Sequence, residues 1–415
     1  MKLGQRTGVL LAASILAASA GCSTKSEDTA TPGDNGDGGE ITTGRGVEGS
    51  TIKLGVLTDL TGAFAALGAD ITNANTLFWE KQNAGDKVCD GKYEVELDIK
   101  DTGYVPQQGV QLYSGMKDDV LAMQQTIGSP INTALESAYE ADSVVNLPSA
   151  WAKNLTNYEG NGVVGATYDV EMTNGLSYAL EEGLIKEGDT LGHIYFEGEY
   201  GANGLAGSKY MATEHGFKIV EAKIKPTDQD MSAQITSFKA AGVKAILLTV
   251  NPTVTASAAG VAATQGLDVP IIGSNPVFAP GLLKGPAAAA LKKNLIVSSP
   301  INTFDKHPEI LADYKAKYPN STPSLGVLFG YGMSDIMRQI IEKACENGDL
   351  TPEGMLEAKG ELTDIETGDL IVPLNFSESG KSPSLQSFIL QPADVDGGAK
   401  ALTEAVESPD AAGIS

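Results

Sequence analysis

Short apolar runs alternate with segments of helical spacing in the first half of the chain. Ile71, Ala74 and Phe78, for example, recur at positions that would share one face of a helix. The predicted strands of this half are 52–57, 93–99, 120–127 and 144–147, and further helices are predicted at 106–116 and 132–141. Strands that alternate with helices in this way predict a parallel sheet covered by helices on both faces.

A second set of the same pattern begins near residue 190. Its predicted strands are 190–196, 217–224, 245–250, 270–272 and 295–297. Residues 245–248 form an unbroken apolar run, which is typical of a strand buried on both faces. Between the strands, Met231, Ile235 and Phe238 follow helical spacing. The chain is therefore predicted to form two α/β units, each around its own sheet.

The pattern changes after Pro300. Helices are predicted at 326–346 and 352–358, and an extended pair is predicted at 370–376 and 385–390, with Gly380 in the turn. Small and acidic residues dominate from 393 to 415. This last segment is predicted to be an acidic C-terminal tail, partly disordered because it has little apolar surface to bury.

The first 21 residues have the layout of a secretory signal peptide. Lys2 and Arg6 precede an uncharged run, 7–20, that ends in small residues. The run is too short to span a hydrocarbon core of roughly 30 Å as a helix. Residues 19–22, Ser-Ala-Gly-Cys, resemble a bacterial lipobox, which implies cleavage before Cys22 and a lipid anchor on its thiol. A plain soluble signal peptide with an incidental cysteine is the alternative.

Residues 22–50 are predicted to be the lipidated cysteine and a flexible linker. The stretch after Cys22 lacks aromatic residues and is dense in Gly, Asp, Thr and Ser, so it cannot offset its ordering entropy by apolar burial. The whole sequence carries a formal net charge of −24, and removal of the signal peptide makes the chain still more acidic. Such a charge repels nucleic acid, which is excluded as a partner.

Two cysteines remain after Cys22. Cys89 and Cys345 lie far apart in the sequence, and an exported protein commonly pairs such thiols in a disulfide. Two separate buried thiols are the alternative.

The sequence gives no sign of catalysis. It contains no Gly-x-Ser-x-Gly elbow, no phosphate-binding loop and no His-Glu-x-x-His helix. His193 lies within a predicted strand, where a histidine bonded inside the core is expected. Gly201, Gly204 and Gly207 do not have the spacing of a dinucleotide fingerprint. We therefore predict no enzyme activity, no cofactor and no metal site.

Several segments together resemble the type I periplasmic binding proteins of the branched-chain amino acid and amide transporter family. The resemblance covers roughly 51–392. The matching segments are 52–57 with 60–62, 127–130 with 132–134, 146–150, 199–201 with Gly204, 238–248, and 330–332. None is specific alone, and their order and spacing along the chain carry the resemblance.

The resemblance implies a fold of two Rossmann-like lobes with parallel sheets, joined by a hinge of three crossovers. The N-lobe would hold residues 51–170 plus 300–374, and the C-lobe 171–299 plus 375–392. Cys89 and Cys345 would then belong to the same lobe, which favours the disulfide.

Ligands of open α/β sheets bind beyond the carboxyl ends of the strands. The residues expected there, partly by carry-over from the family, are Phe64, Ser129, Ser149, Ala150, Trp151, Tyr200, Asn251 and Asn275. Ser129 and Asn132 precede or open a predicted helix, so they could hold a ligand carboxylate or only cap that helix. Trp151 could line the site or pack between the lobes. Tyr200 matches the position where the family presents an aromatic ring to the solute.

Asn275 departs from the amino-acid binders of the family, which carry a carboxylate in this loop to hold an ammonium group. One of four nearby acidic residues could replace that carboxylate: Asp169, Glu171, Glu197 or Glu199. Otherwise the ligand is not an α-amino acid, and amides, urea-like molecules and aromatic acids stay open.

The predicted function follows from these observations. The chain would be exported, held on the extracytoplasmic face of the cell membrane by the lipid on Cys22, and would bind a small polar solute in the cleft between its lobes. Its partners would be that solute and the permease subunits of an ABC importer. A sensory binding protein that docks to a receptor is the alternative.

Overall fold

The computed structural model describes residues 41–415. Its strands are β1 Thr42–Thr43, β2 Val47–Glu48, β3 Thr51–Thr58, β4 Glu94–Asp101, β5 Ala122–Ile127, β6 Asn146–Ser149, β7 Thr190–Phe196, β8 Lys218–Ile224, β9 Ala245–Thr249, β10 Ile271–Ser274, β11 Leu295–Ser299, β12 Asp349–Leu350, β13 Gln386–Pro392, β14 Ala399–Ala401 and β15 Val406–Glu407. Its helices are α1 Ala65–Ala84, α2 Pro106–Met116, α3 Ser129–Ala141, α4 Tyr168–Glu181, α5 Glu199–His215, α6 Ser232–Ala241, α7 Pro252–Gln265, α8 Ala288–Asn294, α9 Pro308–Lys317, α10 Gly326–Glu346, α11 Pro352–Glu361 and α12 Ala411–Ile414.

The N-lobe is built on a parallel sheet in the order β4-β3-β5-β6. The short β2 pairs with β3 in the antiparallel direction. Leu54 and Val56 of β3 are fully buried, as expected for a strand covered on both faces. Helix α1 packs along α10 on this lobe, so an element from late in the chain completes a lobe that begins near its start.

The C-lobe holds a sheet in the order β14-β13-β11-β10-β9-β7-β8. Strands β7 to β11 run parallel, and β13 joins β11 in the antiparallel direction. Every residue of the central strand β9 is buried. The glycines of α5 allow close helix approach, because a Cβ at Gly201 would collide with the main-chain oxygen of Phe196 and one at Gly204 with the side chain of Thr249.

The chain passes between the two sheets in three segments, 150–167, 300–307 and 362–385. They lie near the predicted boundaries at 170, 300 and 374. The predicted fold class is confirmed: two α/β lobes with largely parallel sheets, connected by a hinge of crossovers.

Residues 393–415 differ from the expected acidic tail. They form β14 and β15, which pair with β13, and α12, whose Ala411 is fully buried against Ala166 and Val170. These elements are only two to four residues long, too short to show a period in the sequence. The segment is part of the C-lobe.

The expected pair of extended segments near Gly380 also needs correction. Residues 370–376 form no continuous strand and make only the isolated bridges Ile301–Ile371 and Ile365–Leu374. Pro373 lies within this stretch and has no N–H to give to a ladder. The second segment, β13, pairs with β11 and β14 instead.

The start of the described chain is tied to the N-lobe. The linker was expected to extend to residue 50, but β1 pairs with β12 and β2 pairs with β3. Arg45 donates hydrogen bonds to the main-chain oxygens of Val120 and Asp142. These backbone and guanidinium bonds hold 42–50 against the N-lobe, and Val47 packs partly buried against the core. The predicted signal peptide 1–21, Cys22 and the part of the predicted linker up to residue 40 lie outside the described residues.

Cys89 and Cys345 form a disulfide within the N-lobe, with their Cα atoms 5.6 Å apart. The main-chain N–H of Cys89 also donates to the Glu342 carboxylate of α10, at 3.0 Å. The bond therefore ties the turn before β4 to the end of α10. None of the helices in residues 41–415 combines the length and the apolar character needed to cross a membrane.

Candidate functional site

A cavity of about 830 Å³, counting space open to solvent, lies between the lobes. We call it the interlobe cavity. Its wall includes seven aromatic side chains: Phe64, Tyr104, Trp151, Tyr168, Tyr200, Phe278 and Phe329. Aliphatic side chains such as Leu67, Ile71 and Val297 line much of the rest. The lining is therefore mainly apolar, with a few hydroxyl and amide groups.

The aromatic rings meet at the centre of the cleft. Phe64 of the N-lobe lies 4.9 Å from Tyr104 and 6.3 Å from Tyr200 of the C-lobe, measured between ring centroids. Tyr200 lies 4.4 Å from Tyr168 in the same way. The main-chain N–H of Phe64 donates to the buried carboxylate of Asp59 at 2.8 Å, which fixes the loop before α1. Both lobes thus contribute to one aromatic surface.

Tyr200 presents its ring to the cavity, but its hydroxyl group is bonded within the protein. The hydroxyl donates to the main-chain oxygen of Val250 at 3.2 Å and lies 2.8 Å from Oγ of Ser274. Burial raises the pKa of Tyr200 well above its ordinary value, so the hydroxyl stays neutral. The side of Tyr200 that lines the cavity is therefore its ring, while its hydroxyl is bonded within the protein.

Trp151 lines the cavity and also packs against other residues of the protein. Its indole Nε1 donates to the main-chain oxygen of Val164 at 2.7 Å, and its ring lies 4.9 Å from that of Phe329. From the sequence, Trp151 could line the site or pack between the lobes, and in the structure it both lines the cavity and makes packing contacts. The preceding residue, Ala150, is buried but does not line the cavity.

The two serines predicted at the site are placed differently. Ser149 lines the cavity, and its hydroxyl approaches the sulfur of Met333 at 3.5 Å. Ser129 lies just outside the wall, although Gly128 before it is part of the wall. Within residues 41–415 the buried Oγ of Ser129 has no hydrogen-bond partner. Asn132 bonds to the main-chain oxygens of Thr126 and Gly128, so it shapes this helix start from within the protein.

Asn251 joins the two lobes instead of lining the cavity. Its side-chain oxygen accepts from the N–H of Val254 at 3.0 Å and so caps α7. Its amide nitrogen donates to the main-chain oxygen of Ala63 in the N-lobe at 3.3 Å. The lobes are therefore in contact across the cleft in this structure.

Asn275 lines the cavity and is held by Glu171. The carboxylate oxygens of Glu171 accept from the main-chain and side-chain nitrogens of Asn275 at 3.0 and 2.9 Å. Burial raises the pKa of Glu171 to about 8, against the bonds from Asn275. The acidic residues considered as replacements for a family carboxylate do not line the cavity: Asp169, Glu171, Glu197 and Glu199.

The cavity wall also includes residues of β13, β14 and the start of α10. Leu325, Leu390 and Ala399 line this part, which we call the far end. Ser324 lies there too, where its N–H and hydroxyl donate to the buried Asp70 at 2.7 and 2.6 Å. The cavity lining therefore includes apolar residues from β13, β14 and the start of α10 as well as the aromatic cluster.

Four lining aromatics were absent from the sequence prediction: Tyr104, Tyr168, Phe278 and Phe329. Tyr104 follows the end of β4 and could have been found by inspecting every strand end. Phe329 could not, because it lies on an apolar stripe of α10 that also forms the core.

Two hinged lobes around a ligand-sized cavity define a solute-binding protein. The sequence model of the periplasmic binding protein family matches residues 51–399. The chain belongs to this family, and its type I, Leu/Ile/Val-binding fold is that of the substrate-binding proteins of ABC transporters, which are not enzymes. A search of curated proteins returned no match.

Solved structures show the same fold. A fatty acid ABC transporter substrate-binding protein from Thermomonospora curvata is 39% identical, with a TM-score of 0.87, over 90% of this chain and 96% of that chain. A branched-chain amino acid ABC transporter protein from Thermus thermophilus with bound valine is 16% identical, with a TM-score of 0.78, over 89% and 99%. A solute-binding protein from Rhodopseudomonas palustris in complex with 3,4-dihydroxybenzoic acid is 21% identical, with a TM-score of 0.72, over 87% and 99%. The last two likenesses concern the fold alone.

Proposed function

We propose that this protein captures a carboxylic acid with an extended apolar chain, such as a fatty acid, and delivers it to an ABC permease. The observation that carries the proposal is the apolar wall of the interlobe cavity, which continues from the aromatic cluster to Ala399. The proposed solute is less polar than the one that the sequence predicts. The fatty-acid name of the similar Thermomonospora curvata protein supports the same class.

The cavity lining favours an acyl chain on energetic grounds. Each buried methylene contributes about 0.8 kcal/mol to binding. A cavity wall of aromatic and aliphatic side chains offers such burial along its length, whereas a polar solute would lose its water without gaining matched hydrogen bonds. Affinity should therefore rise with chain length until the far end at Leu390 and Ala399 is reached.

The charges near the cavity also favour a carboxylate over an amino acid. No carboxylate lines the cavity among the described residues, and Asn275 stands where a family carboxylate would hold an ammonium group. Glu171 behind Asn275 has its pKa raised to about 8 by burial, so it does not repel an anion at neutral pH. The carboxylate would lie at Gly128, beside the start of α3, where the positive end of the helix dipole favours an anion.

A direct test is calorimetry on the mature chain after removal of bound lipid. Saturated acids of four to sixteen carbons would be compared with valine. We expect binding to strengthen by about fourfold per methylene over the middle of the series. Tighter binding of valine than of every fatty acid would overturn the choice of solute while leaving the family intact.

The lipid anchor is a separate part of the proposal. Cleavage after Gly21 and acylation of Cys22 would hold the protein on the extracytoplasmic face of the membrane, close to a permease. Cells would be labelled with an alkyne fatty acid and the mature chain isolated under denaturing conditions, which remove any acid bound in the cavity. Label on the wild type and none on Cys22→Ala is expected. Equal labelling of both would rule the anchor out.

A further inference from the structure

A second cavity lies at the hinge, separate from the interlobe cavity. Its volume is about 750 Å³, counting space open to solvent, and we call it the hinge cavity. It is lined by residues 156–163 of the first crossover, 375–383 of the third crossover, and Leu356, Lys359 and Gly360 of α11. Gly380 of the third crossover donates its N–H to the main-chain oxygen of Thr156 at 2.8 Å. The hinge cavity therefore lies against two connected segments that link the lobes.

Lys359 is a buried cation in the wall of this cavity. Its side chain belongs to a residue only 3% exposed. Its Nζ donates to the main-chain oxygen of Glu159 at 2.6 Å and lies 5.0 Å from the centroid of the Phe376 ring. Both partners line the hinge cavity, so Nζ lies at its wall.

The ammonium group of Lys359 has unused hydrogen-bonding capacity. An ammonium carries three donors, and one is used by the Glu159 oxygen. Within residues 41–415 no carboxylate lies within 4 Å of Nζ. A buried charge without a counter-ion is unfavourable. Burial lowers the pKa of Lys359 to about 8 while Glu159 opposes the shift, so the group still carries its proton at neutral pH.

Several other polar groups of the wall are bonded within the protein, among them the hydroxyls of Thr156 and Ser379. Asn161 donates to the main-chain oxygen of Leu155, and the hydroxyl oxygen of Tyr158 lies 2.9 and 2.8 Å from those of Tyr139 and Val144, one of which accepts its proton. Lys381 is exposed and pairs with Glu378 at 2.6 Å. The remaining wall combines polar residues, including Glu159, Asn375 and Ser377, with the apolar Val163, Leu356 and Pro383. The buried cation of the wall is therefore Lys359, which lies beside the apolar side chains of Phe376 and Leu356, with the Glu159 carboxylate acting on its charge from more than 4 Å away.

We propose that the hinge cavity binds a small organic carboxylate, whose anionic group pairs with Lys359 and whose short carbon chain lies against Phe376 and Leu356. Such an anion supplies the counter-ion that Lys359 lacks. The occupant would touch both crossovers, so its affinity would differ between arrangements of the lobes.

The test is crystallographic and uses 3-bromopropionate as the probe. Crystals of the wild type, Lys359→Met and Lys381→Met would be soaked at pH 7, and the bromine located by anomalous scattering. We expect a peak in the hinge cavity of the wild type and of Lys381→Met, and none in Lys359→Met. Bromine found only in the interlobe cavity or at surface lysines would overturn the proposal, which does not depend on the solute of the interlobe cavity.

A second soak keeps the test decisive if Lys359→Met does not fold. At pH 10 about 1% of an amine with a pKa near 8 is protonated, so bromine in the wild-type hinge cavity should become undetectable at a subsaturating concentration of the probe. An unchanged peak at pH 10 would show that the charge of Lys359 does not hold the anion.

Discussion

Both carboxylate oxygens of Glu171 accept hydrogen bonds from Asn275, one from the main chain and one from the side chain. Glu171 lies in the first turn of α4, and Asn275 follows β10 directly. The pair holds a loop of the interlobe cavity against a helix of the same lobe. A residue that does not line the cavity thus positions one that does.

Glu171→Gln tests this pairing. Above pH 8, where Glu171 is ionised, the amide NH₂ of glutamine would face a donor of Asn275, so one of the two bonds is lost. We expect about tenfold weaker solute binding, because losing such a bond costs on the order of 1.5 kcal/mol. Calorimetry measures the change, and Glu181→Gln on the exposed end of α4 is the matched control. Unaltered affinity in Glu171→Gln would show that the loop is held by other contacts.

Tyr200 allows the ring and the hydroxyl to be tested separately. Since the hydroxyl bonds to Val250 and Ser274, Tyr200→Phe should keep solute affinity within about threefold and cost about 1 kcal/mol of stability. Tyr200→Ala removes the ring and should weaken binding by about thirtyfold, as for a buried aromatic contact of about 2 kcal/mol. Equal losses in the two variants would mean that the hydroxyl contacts the solute.

Ala399 offers a test of chain length at the far end of the cavity. Ala399→Leu places a larger side chain where a long acyl chain would end. We expect the affinity for a sixteen-carbon acid to fall by about tenfold while that for a six-carbon acid stays unchanged. Ala401→Leu, an exposed position of the same strand, is the control. A uniform loss for both acids would point to general misfolding of the lobe.

His193 should make the C-lobe sensitive to acid. Its ring nitrogens lie 2.9 Å from Ser208 Oγ and 2.8 Å from Thr249 Oγ1, as the sequence prediction of a core histidine expects. Burial lowers the pKa of His193 from 6.5 to about 3. The unfolded chain therefore binds a proton that the folded chain does not between these values. The stability contributed by His193 is present above pH 6.5 and is lost as the pH falls towards 3.

Urea unfolding from pH 3 to 8 checks this sign. In His193→Gln, the free energy of unfolding should depend less steeply on pH between 3 and 6.5. The slope should fall by an amount that corresponds to at most one bound proton. His215 is the opposite case: burial lowers its pKa, but Asp410 and Glu187 outweigh that effect and raise it. Its contribution is present below pH 6.5 and is lost as the pH rises through the raised pKa. A profile of His193→Gln that matches the wild type would contradict the assignment.

The disulfide should stabilise the mature chain. Replacement of Cys89 and Cys345 by alanine removes a bond across 256 positions, and we expect a loss of about 2–5 kcal/mol in the free energy of unfolding. Thiol titration of the unreduced, denatured Cys22→Ala protein should find no free thiol. Two free thiols per chain would show that the bond does not form in the exported protein.

The sheets could be predicted because buried parallel strands leave a strong local signal. The run at 245–248 is apolar throughout, and the structure places it in the fully buried β9. The prediction of a strand at 370–376 was wrong because this segment has no comparable local signal. Its apolar residues pack against the hinge, and the pairing that decides strand identity depends on distant residues such as Ile301.

Residues that line the cavity could be predicted from the sequence mainly where they lie at or just after the end of a strand. Ser149 ends β6, whereas Phe64, Tyr200 and Asn275 follow strands, and all four line the cavity. Asn251 also follows a strand, but its side chain turns to cap α7 and bond to Ala63. The far wall was missed because Leu325 and Ala399 come from a helix start and a late hairpin, which only the folded chain brings together.

The helices α10 and α11 complete a lobe whose sheet is finished by residue 149. During export the C-lobe segment 168–299 must therefore emerge before the earlier lobe can close. A nascent chain stopped near residue 300 would expose the apolar face that α1 keeps for α10, and would need a chaperone to stay soluble until synthesis resumed.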